Sequence, residues 1–187
     1  AKVSVATGTS QKVTLQVPVG KDVLKYWTPE HPNLYALLLS VKNQKQTVDT
    51  KYERFGWREW TLQGTTQCLN GEPYALHGDS WHFMGIPQMT RRYAWAWFTA
   101  IKGMNANAVR PHAQVYPRFY LDMADEMGIC VLNETANWAS DGGPKLDSDL
   151  FWETSKSHLK RFVLRDRNHA SVFGWSISNE ACDPACI

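Results

Sequence analysis

Asn179-Glu180 is where residue type and position together suggest chemistry in this 187-residue sequence. The pair closes the segment Asp166-Arg167-Asn168-His169-Ala170-Ser171-Val172-Phe173-Gly174-Trp175-Ser176-Ile177-Ser178-Asn179-Glu180. Residues 172–177 are apolar or small and are bounded by polar turn formers, the pattern of a strand buried on both faces in a parallel sheet. A carboxylate at the C-terminal tip of such a strand loses hydration, which raises its pKa toward the range a general acid needs. The same pattern allows Glu180 simply to open a solvated loop, and on the strand alone that is the commoner case.

Other polar side chains also fall at the ends of short apolar runs. Arg110 closes Asn107-Ala108-Val109-Arg110, a tip from which a guanidinium can hydrogen-bond carboxylates. Asn133-Glu134 closes the run 129–132, while a first strand is expected near residues 74–78, just after the hairpin signal Asn70-Gly71. Between these runs the patterns are helical. Residues 90–103 place Tyr93, Trp97, Ile101 and Met104 on one face, and residues 119–127 carry Leu121, Met123, Ala124 and Met127 ahead of Gly128. A third helix over 151–166 carries Phe151, Trp152, Leu159, Phe162 and Val163. Four strands alternating with three helices mean βα units on a parallel sheet.

The first 60 residues read differently. Runs at 3–6, 12–17, 34–41 and 47–55 are short and β-prone, with Gly, Pro, Asn and Lys-rich turns between them, as in an antiparallel sandwich. Composition is ordinary: 43% apolar, 20% charged, net charge +2, with no clustered basic run to suggest nucleic acid. Nine Trp suit sugar-stacking platforms and core packing alike. Cys68, Cys130, Cys182 and Cys186 complete no zinc pattern and are expected to be reduced. No apolar run reaches membrane-spanning length, so no membrane partner is expected, and periplasmic, extracellular and cytoplasmic settings all stay open.

The segment ending at Glu180 resembles the acid/base signature of glycoside hydrolase family 2, the β-galactosidases, β-glucuronidases and β-mannosidases. That signature runs R-D-x-N-H-P-S-V-x-x-W-S-x-x-N-E, with Ala170 here in place of the proline. Trp27-Thr28-Pro29-Glu30-His31-Pro32-Asn33-Leu34-Tyr35 is similar to the W-x-P-x-x-P-x-L-Y element of the family's immunoglobulin-like domain. Phe55-Gly56-Trp57-Arg58 is similar to that domain's exit, Leu69-Asn70-Gly71-Glu72-Pro73 to the hairpin leading into the barrel, Gly78-Asp79-Ser80-Trp81-His82 to G-x-N-x-H, and Asn107-Ala108-Val109-Arg110 to N-x-V-R.

The resemblance implies an all-β immunoglobulin-like sandwich over residues 1–60, followed over 61–187 by α/β structure, the first half (four strands) of a (β/α)₈ TIM barrel. Catalytic groups of such barrels sit at C-terminal strand ends. The acid/base role falls on Glu180, and contact with the sugar 2-hydroxyl falls on Asn179. His82 falls among the pocket residues, as does His112 despite altered spacing after it. Arg110, Glu134, Asn133 (an Asp in the family) and Trp138 are counted with the substrate as well. Ala136-Asn137-Trp138-Ala139-Ser140 replaces the carboxylate and histidine of the metal-dependent members, so no Mg²⁺ site and no cofactor are expected.

The implied activity is that of a retaining, exo-acting β-glycosidase, β-galactosidase-like, cleaving terminal β-glycosidic bonds of oligo- or polysaccharides. One carboxyl protonates the leaving oxygen and a second, about 5–5.5 Å away, attacks the anomeric carbon. The family's nucleophile lies on the seventh barrel strand, so this stretch alone is expected to be inactive. Its expected partners are a carbohydrate, the remaining half of the barrel and an upstream sugar-binding domain. A β-glucuronidase-like enzyme and a non-catalytic carbohydrate-binding or structural module are the alternatives.

Overall fold

A computed structural model describes residues 1–82, 85–138 and 148–180. Strands β1 (Tyr35–Asn43) and β2 (Gln46–Phe55) pair antiparallel, with Tyr35 opposite Phe55 and Asn43 opposite Gln46. Strands β3 (Trp60–Gln63), β4 (Thr66–Leu69) and β5 (Glu72–Pro73) form a small antiparallel meander. Its second turn is the expected Asn70-Gly71 pair, both at positive φ (55° and 89°), which is what a two-residue hairpin turn demands.

Strands β6 (Gly78–Trp81), β7 (Ala108–Pro111), β8 (Cys130–Glu134) and β9 (Val172–Ser176) lie side by side in chain order, each parallel to the next. Helix α1 (Arg91–Gly103) links β6 to β7, α2 (Arg118–Met127) links β7 to β8, and α3 (Asp149–Asp166) links β8 to β9. The helix starts are written locally. Thr90 caps α1 by accepting the Tyr93 N–H, and Ser148 caps α3 by accepting the Phe151 N–H. Pro117 precedes α2, and Gly128 ends it in the left-handed region.

Helix α1 buries Ala94, Phe98 and Ile101, with Tyr93 and Trp97 packed beside them; Met104, expected on that face, lies past the helix and is exposed. Against them sit Trp81, Tyr116 and Tyr120, with the Trp81 and Trp97 rings stacked 4.6 Å apart. Much of the tryptophan content is therefore core rather than sugar platform. Helix α3 buries only Phe162 and Asp166, a narrower stripe than its apolar pattern suggests.

Two expectations need correction. No strand forms over 3–6 or 12–17, where Val5 and Val17 are exposed. Residues 1–60 contribute the hairpin β1–β2, whose Leu38 and Val41, on opposite faces, are both exposed. A strand is held by the apolar face it covers, and among the described residues no second sheet covers this one. The first parallel strand begins at Gly78 rather than in 74–78. The preceding backbone is satisfied by a side chain instead: Asn107 Oδ1 accepts the His77 N–H at 2.8 Å, and Asn107 Nδ2 donates to the Ala75 carbonyl at 2.9 Å.

The segment around Trp27 is locked to the α/β layer. Trp27 is fully buried, its Nε1 donating to the Asp125 carbonyl of α2 at 2.9 Å. Its own N–H meets the Trp57 carbonyl, and its carbonyl accepts from Asn70 Nδ2. Arg58 reaches the foot of β9, donating to the carbonyls of Ala170 (3.1 Å) and Val172 (2.7 Å). Arg54 pairs with Asp122 and Glu126 on α2.

Gly128 shows how close the approach is. Its φ is +68°, and a Cβ built there would lie 2.0 Å from the Pro29 carbonyl oxygen. Gly128→Ala therefore meets both a left-handed backbone penalty and a backbone clash. We expect a loss of at least roughly 2–4 kcal/mol, read as a lowered thermal midpoint of the full-length protein. A stability change within about 0.5 kcal/mol, the usual range for an ordinary surface substitution, would contradict this junction.

Candidate active site

The C-terminal ends of β7, β8 and β9 bring Arg110, Glu134 and Asn179 together. Strand alternation sets this up: β8 is buried along its length, so Glu134 enters the interior with its side chain 0% exposed. A buried carboxylate must be paired and hydrogen-bonded, and Glu134 is. Arg110 forks onto it, Nε to Oε2 at 2.6 Å and Nη2 to Oε1 at 3.0 Å. The Ala113 N–H donates to Oε1 at 2.5 Å, and the Ser176 hydroxyl to Oε2 at 2.6 Å.

These contacts decide the charge state of Glu134. Burial by itself pushes its carboxyl upward. Hydrogen bonds from Arg110, Ser176 and the Ala113 N–H, with the Arg110 charge, outweigh burial and hold it below the usual carboxylate range. The carboxylate is thus anionic and internally committed.

Arg110 then reaches one residue further. Its Nη2 donates to Asn179 Oδ1 at 2.5 Å, while the Asn179 N–H donates to the Asn137 carbonyl at 2.8 Å. Asn179 also forms a parallel bridge with Trp138, which is half-buried. The chain turns sharply after Asn179: Glu180 adopts φ +47° and is exposed. Of the two readings of the strand tip, the exposed one describes Glu180 here, since β9 ends at Ser176 and Glu180 lies beyond the isolated bridge at Asn179. Among the described residues nothing holds the Glu180 carboxylate.

His82 and His112 follow β6 and β7 and lie together, ring centroids 4.0 Å apart. The His112 N–H donates to the Trp81 carbonyl at 2.8 Å, which fixes the second of them. His82 is exposed and His112 half-buried, so both can face a ligand. Asn133 does not join them. It is fully buried, with Nδ2 donating to Asp166 Oδ2 at 2.9 Å, and Asp166 is in turn paired with Arg165. Asn133 and Glu134, both expected with the substrate by sequence, are thus both buried and each is engaged by a side chain from another element.

Sequence reasoning passed over Ser176 and Ala113. Ser176 stood in the signature itself, between Trp175 and Asn179. Ala113 contributes only a backbone N–H at φ +50°, which no side-chain pattern reports. It also passed over Asp125, buried with Oδ2 2.7 Å from His169 Nδ1 and Oδ1 accepting the Ser171 N–H. That pair sits at the foot of β9, away from the strand tips. The Cys182–Cys186 and Ser140 positions lie outside the described residues. Cys68 and Cys130 are buried free thiols, and burial pushes the Cys130 thiol up to about 12.

The depressed Glu134 carboxyl gives a signed expectation. A group with a lowered folded pKa contributes stability above the ordinary carboxylate range and loses it as pH falls through the lowered value. Local protection of residues 130–134 against hydrogen exchange in the full-length protein should therefore hold near neutrality and fall on acidification below the ordinary carboxylate range. Glu134→Gln should remove most of that acid-side fall. A fall of the same size in the variant would show that Glu134 is not the group responsible.

Comparison with known proteins now bears on these positions. The model described as "Glycosyl hydrolases family 2" matches residues 1–58, and "Glycosyl hydrolases family 2, TIM barrel domain" matches residues 88–187. A provisionally named β-glucuronidase of Formosa agariphila is 32% identical over 184 residues, covering 94% of this chain and 18% of its own length. A β-galactosidase of Pseudoalteromonas haloplanktis is 32% identical over 170 residues, covering 83% and 16% respectively. The crystal structure of a Parabacteroides merdae β-glucuronidase superposes with a TM-score of 0.71 at 27% identity, over 81% of this chain and 19% of that one. The chain spans less than a fifth of the length of each of these relatives. Three of the four parallel strands and all three α-helices fall within the barrel-domain match, and the chain belongs to glycosyl hydrolase family 2.

Proposed function

We propose that this chain supplies the acid/base half of the site of a retaining, exo-acting β-glycosidase acting on terminal β-glycosidic bonds, with Glu180 as the acid/base residue. Its relatives carry the names β-galactosidase and β-glucuronidase, and a β-galactosidase-like substrate is the one we infer. The observation that carries the reading is the 2.5 Å contact from Arg110 Nη2 to Asn179 Oδ1, directly ahead of Glu180. It fixes the residue beside the proposed acid, while among the described residues nothing engages the Glu180 carboxylate.

The retaining reaction needs a second carboxylate near the first. Glu134 does not meet that need, because a side chain with no exposure cannot reach an anomeric carbon. We infer that the nucleophile comes from elsewhere in the full-length protein. We infer also that residues 61–187 form the first half of a (β/α)₈ barrel and residues 1–60 part of an immunoglobulin-like domain. The exposed Leu37, Leu38, Leu39 and Val41 of β1 support the second inference, since an apolar strand in water calls for a covering sheet.

The role of Glu180 separates by leaving group. In the full-length protein Glu180→Gln should reduce cleavage of natural glycosides by about 10²–10⁴-fold, and spare the first step for activated aryl glycosides. For Glu180→Ala on activated substrates, added azide should speed turnover, since a small anion can enter the vacated space without base assistance. A Gln variant that retains normal activity on natural substrates would make Glu180 a solvated loop residue. Equal loss on both substrate types would make it the nucleophile.

A further inference from the structure

The contacts at the strand ends form a directed series rather than a cluster. The Ser176 hydroxyl donates to Glu134 Oε2 at 2.6 Å; its second acceptor, the Ser178 carbonyl at 3.3 Å, is the weaker one. Glu134, held on its other oxygen by the Ala113 N–H, receives both prongs of Arg110. Arg110 Nη2 then reaches Asn179 Oδ1. A guanidinium has donors only, so it must meet the amide oxygen of Asn179 and not the nitrogen. The amide is thereby held one way round: oxygen inward on Arg110, Nδ2 left for what lies outside. Among the described residues no acceptor meets that nitrogen.

From this geometry we infer that Ser176 and Glu134 are positioning residues: through Arg110 they hold the Asn179 amide with its nitrogen toward the site, the orientation in which it can donate to a sugar oxygen. The inference rests on the glycosidase reading and deepens it. Under that reading the oxygen is the 2-hydroxyl. A substrate lacking it leaves a nearly buried amide donor unpaired, which is the situation that discriminates most strongly between otherwise similar ligands. Ser176 touches no substrate in this arrangement. Its part is to hold Glu134, which would otherwise share its oxygens between Arg110 and water and let the guanidinium swing.

The test compares an aryl β-galactoside with its 2-deoxy counterpart on the full-length protein, using Ser176→Ala, Ser176→Cys and Ser176→Thr. The quantity read is the ratio of kcat/KM values for the two sugars, so differences in their intrinsic reactivity cancel between variants. Ser176→Ala should lower kcat/KM for the 2-hydroxy substrate by roughly tenfold and change the 2-deoxy value by less than about twofold. Ser176→Cys keeps the volume and weakens the donor, and its ratio should move in the same direction. Ser176→Thr keeps the hydroxyl and should stay close to the unmodified protein.

A merely structural Ser176 would lower both substrates together in the Ala or Cys variant, and that result overturns the inference. An unchanged ratio in both variants overturns it too. The failure of the underlying reading looks different: the unmodified protein would cleave neither sugar, and both proposals would fall. If the unmodified protein cleaves and Glu180→Ala responds to azide while the ratio ignores Ser176, only the positioning series is wrong.

Discussion

The Arg110–Glu134 ion pair is the constraint on which the strand-end arrangement depends. Taking a carboxylate fully out of water costs several kcal/mol unless a cation and further donors meet it. Here one guanidinium, one backbone N–H and one hydroxyl meet it from β7, the turn after β7, and β9. The pair therefore couples three separate strand ends through one buried charge. Removal of either partner leaves the other uncompensated, which in general costs about 3–5 kcal/mol. Such a site tolerates little drift, and that rigidity is what a group holding a sugar in place requires.

The same economy appears at the foot of the sheet. Arg58 donates to two backbone carbonyls at the start of β9, and Asp125 accepts from the Ser171 N–H. One end of β9 is thus fixed by the segment around Trp27 and Arg58, and the other by Glu134. Past Ser176 the chain keeps one more bridge, Asn179 beside Trp138, and Glu180 then turns out to solvent. A strand anchored at both ends and released at its tip can present a free carboxylate without giving up its register.

Much of this was legible in the sequence, and what was not has physical causes. The helices over 91–103 and 118–127 were readable because Thr90, Pro117 and Gly128 punctuate them by local chemistry. The Asn70-Gly71 turn was readable for the same reason. The strands at 3–6 and 12–17 failed because β-propensity mainly measures fit to a covering face, and no such face is present among the described residues. At the strand ends, Arg110 meets Asn179 and the two histidines meet each other. The burial of Asn133 and Glu134 was not legible, because a strand-end polar residue looks the same in sequence whether it faces a ligand or a buried partner. Asp166, 33 positions away from Asn133, made the difference. The strand pattern left Glu180 between a desolvated tip and a solvated loop, and the left-handed turn that exposes it has no signal in a Glu side chain.

The most direct measurement is a crystal structure of the full-length protein as the Glu180→Gln variant with an uncleaved β-glycoside bound. The account predicts the residue 180 side chain within hydrogen-bond distance, about 3 Å, of the glycosidic oxygen. It also predicts Asn179 Nδ2 on a sugar hydroxyl, with Arg110 still forked on Glu134 beneath them. A sugar in contact with Glu134, or one bound with residue 180 turned to solvent, would contradict it.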